Sequence, residues 1–115
     1  MHEIGIAGAI IEASQAEAAR RAGSKLVKVG IRVGVLSGVN RDALSFAFMA
    51  LTQGTDLGSV EFEIHDCSRR DRCRACGHEF ESEIYSNPCP LCAAVETVLI
   101  GGSELDLAYV EVEKP

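Results

Sequence analysis

Four of the five cysteines fall in the stretches CRAC and CPLC, a C-x2-C-x12-C-x2-C pattern through Cys73, Cys76, Cys89 and Cys92. Each C-x2-C turn presents two thiolates on one side of a tight loop, and two such turns supply the tetrahedral soft-ligand set that zinc favours. In a reducing compartment the spacing points to metal rather than disulfide. Gly77 suits the backbone of the first turn, and Pro88 and Pro90 stiffen the second. Residues 67–94 carry few aliphatic side chains, so bound metal must hold them, with on the order of 10–16 kcal/mol in comparable peptides. Four sulfurs also suit iron, and a dithiol redox role needs a reactive, low-pKa cysteine. Four equivalent-looking ligands that leave no open position favour structural zinc, which scaffolds a fold without saying what the fold does.

The second candidate is the opening MHE. A free α-amine at Met1, backbone amide nitrogens and the imidazole of His2 lie within chelating reach of one another. Four nitrogens in a plane select Ni(II) or Cu(II) over zinc. The ligands must shed protons to bind, so such a site weakens as pH falls. Glu3 adds a nearby negative charge, an acceptor or a further ligand. On spacing alone the signal is weak, and an exposed, idle His2 is the commoner explanation. His65 alternates outward on a strand, His78 is expected on an exposed ribbon, and Cys67 is expected as a small interior side chain.

The chain has 115 residues, 47% hydrophobic and 24% charged, which is one ordinary domain or one domain with a small satellite. No apolar run approaches the roughly 18 residues of a membrane span. The first residues lack the basic segment and apolar stretch of a secretory signal, and Glu3 and Glu12 argue against a transit peptide. The expectation is a cytoplasmic protein. A net charge of −6 argues against broad phosphate binding. Arg69, Arg70, Arg72 and Arg74 cluster locally but face Glu79, Glu81 and Glu83, as in a solvated patch. No Ser/His/Asp set, phosphate loop or pair of catalytic carboxylates stands out, so no enzyme is expected. The competing readings are a zinc-ribbon module binding nucleic acid or protein, and a dithiol oxidoreductase.

The elements that must position these groups are legible from periodicity. Ile4, Ala7, Ile11 and Ala18, widened by Ile10, predict a helix over 4–22, stopped at Gly23. KLVKVGIRVGVL alternates Val27, Val29, Ile31, Val33 and Val35 with Lys28, Gly30, Arg32 and Gly34, a strand with one buried face. Asn40 caps a second helix running to about Gln53, with a face of Leu44, Ala47, Phe48 and Leu51. VEFEIHD points Val60, Phe62 and Ile64 inward. The apolar pattern returns in VETVLI and closes in ELDLAYVEVE, whose phase slips near Ala108 and Tyr109, as at a bulge. The expected fold is α+β: two helices on a mixed three-stranded sheet, with an inserted zinc-ribbon subdomain. Residues 1–66 plus 99–115 form the αβ domain, and 67–98 the ribbon.

Together MHEIGIA, VGVLSGVN, CRAC…CPLC and GGSELDLAYVEVE resemble the HypA/HybF family of hydrogenase maturation proteins, over essentially the whole chain and in the same element order. The resemblance implies a nickel metallochaperone that helps insert nickel into the large subunit of [NiFe]-hydrogenases. It implies as partners a nickel-handling GTPase, that large subunit and urease accessory proteins. It places the nickel site on Met1, His2 and Glu3, and the zinc site on Cys73, Cys76, Cys89 and Cys92. Some relatives carry histidine beside both cysteine pairs. This chain has His78 after the first pair but Ala93 and Ala94 after the second.

Overall fold

The computed structural model describes residues 2–83, 85 and 87–114. In chain order these form α1(Glu3–Ala19), β1(Lys25–Gly34), α2(Arg41–Thr52), β2(Glu61–Cys67), β3(Arg69–Cys73), β4(Glu79–Ser82), β5(Thr97–Gly101) and β6(Leu105–Glu113). Two three-stranded sheets result, ordered β2-β1-β6 and β4-β3-β5. The chain divides into two compact units: Met1–Arg32 with Gly38–His65 and Asp106–Pro115, and Val33–Ser37 with Asp66–Leu105. The architecture is α+β. Among the described residues no helix is long and apolar enough to cross a membrane.

In the first unit the core is Ala7, Ile10 and Ala18 from α1, Leu44, Ala47 and Phe48 from α2, and Leu26, Val29 and Ile31 from β1. Phe48 stacks on Phe62 of β2 with ring centroids 4.5 Å apart. Each large buried side chain contributes about 1.5–3 kcal/mol of transfer free energy. Helix α2 starts where the sequence predicts, because the Ala43 N–H donates to Asn40 Oδ1 at 2.9 Å. Its buried face keeps Leu44, Ala47 and Phe48, but Leu51 is exposed and Thr52 is buried in its place, bonded to the Phe48 carbonyl.

Helix α1 ends at Ala19, three residues short of the expected end. The Arg20 and Arg21 N–H groups donate to Glu17 and Ala18 carbonyls, so the chain tightens into i→i−3 bonds before Gly23. Its buried stripe is Ala7, Ile10, Ser14 and Ala18, while Ile4 is exposed and Ile11 half-buried. Ser14 is tolerated inside because its hydroxyl donates to the Ile10 carbonyl at 2.7 Å.

Strand β1 buries Val29, Ile31 and Val33 as alternation predicts, but Val35 beyond its end is 45% exposed. The opposite face is also covered in part. The Tyr109 ring lies against Gly30, where an added Cβ would fall 2.6 Å from Cδ1 and nearer still to Cε1 and Cζ. Burial along β6 slips phase between Ala108 and Tyr109, which are both exposed.

In the second unit β3 is the central strand. It pairs antiparallel with β4 in the register Asp71↔Phe80, and antiparallel with β5 in the register Cys73↔Thr97. VETVLI therefore joins the cysteine-bearing sheet through β5 rather than the sheet under the helices. The inward positions of β3 are Asp71 and Cys73; Cys73 packs with Phe80, Cys89 and Ala94. This apolar core is too small to stabilise the unit alone, so metal binding carries much of the load.

Candidate metal centre

Two loops of nearly identical geometry bring the four cysteine sulfurs together, all within 4.8 Å of one another. The Cys73 N–H donates to the His78 carbonyl at 2.9 Å, and the Cys89 N–H to the Ala94 carbonyl at 2.9 Å. The Gly77 N–H closes on the Cys73 carbonyl at 3.0 Å, and the Ala93 N–H on the Cys89 carbonyl at 2.8 Å. Ala75 N–H points to Cys73 Sγ at 3.3 Å, and Leu91 N–H to Cys89 Sγ at 3.4 Å. The loops thus share these three bonds, and the first adds a fourth from the Cys76 N–H to Cys73 Sγ at 3.4 Å. Across them Cys73 Sγ and Cys92 Sγ lie 3.5 Å apart, and Cys76 Sγ and Cys89 Sγ 3.7 Å apart. A zinc ion with bonds of about 2.3 Å in a tetrahedron holds sulfurs about 3.8 Å apart, so the donor set fits it.

The electrostatics point the same way. The Cys76 N–H, with help from the Ala75 N–H and neighbouring sulfurs, pulls the Cys73 thiol down to about 6 against the cost of burial. At Cys92 the Ala94 N–H favours the thiolate, yet the Cys73 sulfur and burial outweigh it and push the thiol up to about 12. At Cys76 the His78 N–H is likewise outweighed by burial and by Cys73 and Cys89, and its thiol is raised. One thiolate is welcome here; four are not without a cation between them. Cys73 and Cys89 are buried, whereas Cys76 and Cys92 are exposed.

The nickel candidates are placed differently. Met1 lies outside the described residues. His2 is exposed and extended at the N-cap of α1 (φ −92°, ψ 102°), where its side chain makes no capping bond while its carbonyl accepts from the Ile6 N–H at 3.2 Å. Glu3 is half-buried in the first turn and takes a long hydrogen bond, 3.5 Å, from the Asn40 N–H. With Ile4, Ala43, Phe46 and Ala47 these two residues line an open cavity of about 390 Å³.

Several side chains differ from expectation. His65 is exposed but not idle: its Nε2 lies 3.0 Å from Tyr109 Oη and 2.9 Å from Glu63 Oε1. His78 is half-buried and stacks on Phe80. Cys67 is half-buried rather than interior. The arginine cluster is only partly a solvated patch. Arg70 reaches Glu79 and Glu81 at 3.9 and 4.0 Å. Arg69 binds the fully buried Asp71 through two bonds, 2.9 and 3.2 Å, holding that carboxyl below its ordinary range. Asp71 is the positioning residue that the motif search missed. Its signal was the alternation in RRDRC, which puts Asp71 on the same face as Cys73.

An α+β unit in one chain with a short sheet that ends in a four-thiolate cluster defines a small metal-handling protein with a zinc-ribbon subdomain. Residues 1–112 match the family described as hydrogenase/urease nickel incorporation, metallochaperone, HypA. The chain is 35% identical over 113 residues to the hydrogenase maturation factor HypA of Geobacter metallireducens, covering 98% of this chain and 100% of that protein. It is 31% identical over 114 residues to that of Chlorobium luteolum, covering 99% and 97%. In fold it is similar to the solution structure of the nickel metallochaperone HypA from Helicobacter pylori, with a TM-score of 0.66 at 20% identity over all of both chains. The chain belongs to the HypA family of nickel-incorporation metallochaperones for hydrogenase maturation. Nickel is the cargo of that family, and the structural metal suited by four clustered thiolates is zinc.

Proposed function

We propose that this chain is a non-enzymatic, cytoplasmic nickel carrier that binds Ni(II) through Met1, His2 and Glu3 and helps insert it into the [NiFe]-hydrogenase large subunit. The α-amine of Met1, backbone amide nitrogen and the His2 imidazole form the planar frame, with the Glu3 carboxylate beside it. Cys73, Cys76, Cys89 and Cys92 hold structural zinc. The unit bearing α1 carries the cargo, and the cysteine-bearing unit fixes a surface for partners. A nickel-handling GTPase and the large subunit are the partners proposed, with urease accessory proteins as further recipients.

The observation that supports this reading most is the freedom of the His2 side chain, exposed at the N-cap with no capping bond to break. Planar nitrogen coordination leaves axial positions open to an acceptor, which suits hand-over better than a closed cage does. Neutralisation of Arg69 and Arg70 by Asp71, Glu79 and Glu81 argues against the nucleic-acid alternative.

The test is nickel and zinc stoichiometry on protein with an unblocked Met1, on the same protein acetylated at its amine, and on His2→Ala. The expected result is loss of tight nickel in the last two with zinc unchanged. Equal nickel uptake by the acetylated chain overturns the reading.

A further inference from the structure

The exposed face of the β2-β1-β6 sheet carries a second set of donor atoms, and none of them belongs to either metal centre above. Glu63 and His65 point outward two residues apart on β2, and Tyr109 reaches them from β6. Three atoms meet: His65 Nε2 lies 2.9 Å from Glu63 Oε1 and 3.0 Å from Tyr109 Oη, and Tyr109 Oη lies 3.0 Å from Glu63 Oε1. The triangle is close to equilateral. A six-coordinate ion with bonds of about 2.1 Å holds adjacent ligands about 3.0 Å apart, so these atoms match one face of an octahedron.

Gly30 makes the arrangement possible. Any Cβ there would strike the Tyr109 ring, so only glycine leaves room for the ring to cross β1 and carry its hydroxyl to Glu63 on β2. The surroundings favour a cation. Lys28 Nζ is faced by three carboxylates, Glu61 at 3.4 Å, Glu63 at 3.0 Å and Glu111 at 3.9 Å. Three carboxylates against one ammonium leave an excess of negative charge. Lys28 and Tyr109 approach different oxygens of Glu63, Oε2 and Oε1, so the triangle's carboxylate oxygen is not the one that Lys28 holds.

We infer that His65, Glu63 and Tyr109 form a second site for a first-row transition-metal dication, with waters completing its coordination. One imidazole nitrogen and two oxygens are a borderline-to-hard set that suits Ni(II), Zn(II) or Mn(II) over a soft ion. Burial, then Glu63, holds the phenol above its ordinary value. The site is weaker than a closed four-ligand cage because three positions are left to water. It does not depend on the nickel reading of Met1, His2 and Glu3.

Ni(II) distinguishes the two sites by spin. Six-coordinate nickel with nitrogen and oxygen ligands is paramagnetic, whereas planar four-nitrogen nickel is diamagnetic. The experiment titrates Ni(II) into zinc-loaded, isotope-labelled full-length His2→Ala protein at about pH 8 and follows paramagnetic broadening of the His65 and Tyr109 resonances. The expected result is broadening centred on those residues. On the same background, His65→Ala should remove it, and Glu63→Gln and Tyr109→Phe should each weaken binding by about tenfold or more. All three side chains are partly exposed, and a matching urea midpoint confirms that each variant is folded. Absent broadening in His2→Ala, or broadening that persists in the His65→Ala protein, overturns the proposal. Nickel uptake by His2→Ala that equals wild type counts instead against the Met1, His2 and Glu3 site.

Discussion

Asp71→Asn is the substitution that most directly tests how the second unit is held together. The carboxylate is fully buried on the central strand and accepts two bonds from Arg69 and a third from the Thr97 hydroxyl at 3.1 Å. Asparagine keeps the shape but removes the charge and turns one acceptor into a donor facing donors. Bonds to charged groups are worth about 1.5–3 kcal/mol each, and simple addition over three overshoots because they are not independent. Breaking a buried pair costs about 3–5 kcal/mol. Arg69 keeps 18% of its surface and recovers some hydration, so the low end applies, about 3 kcal/mol. Folding and metal binding are linked here, and about 3 kcal/mol corresponds to roughly 150-fold in zinc affinity.

Competition between the full-length protein and a chromophoric chelator reads that loss directly. The pH dependence has a definite sign. The carboxyl of Asp71 is lowered in the fold, mainly by Arg69, so its contribution is complete above the ordinary carboxylate range and fades only as pH falls through the depressed value. The gap between wild type and Asp71→Asn should therefore stay constant from about pH 7 to about pH 5. Zinc affinity within threefold of wild type, or a gap that closes across that interval, refutes the reasoning.

Stripping zinc with a chelator should abolish amide-exchange protection in β3, β4 and β5 while α1 and α2 stay protected, because the first unit has its own core. Melting of both helices alongside the strands would contradict that. Leu44→Ala, at a site with no exposed surface, should cost about 2–5 kcal/mol in urea unfolding followed by helix signal; a loss under about 1 kcal/mol would mean that α2 is not anchored there.

Legibility followed the range of the interactions. Helix α2 was readable because its cap and its face are local: Asn40 three residues before Ala43, then Leu44, Ala47 and Phe48 on one side. The cysteine pattern was readable because each loop closes within itself. Helix α1 was read only in part: Ala7, Ile10 and Ala18 are buried as expected, but Ile4 is exposed and Ile11 half-buried, because Ile4, Ile6, Ala9, Ile10 and Ile11 put apolar residues on every side and only packing could choose among them. The destination of VETVLI rests on the long-range register Arg72↔Val98, which no periodicity encodes. Tyr109 over Gly30 is likewise a contact between strands that the alternation pattern treats separately.

The two cysteine loops share three hydrogen bonds but not the residue at their bend. Gly77 turns at φ 79° and Ala93 at φ 65°, a left-handed conformation that costs an L-residue roughly 1–2 kcal/mol and glycine almost nothing. Ala93→Gly should therefore steady the second loop with no change of ligand. As it stands, the clasp has one relaxed jaw and one sprung jaw. Opening on the CPLC side would relieve that tension, whereas opening on the CRAC side would relieve none.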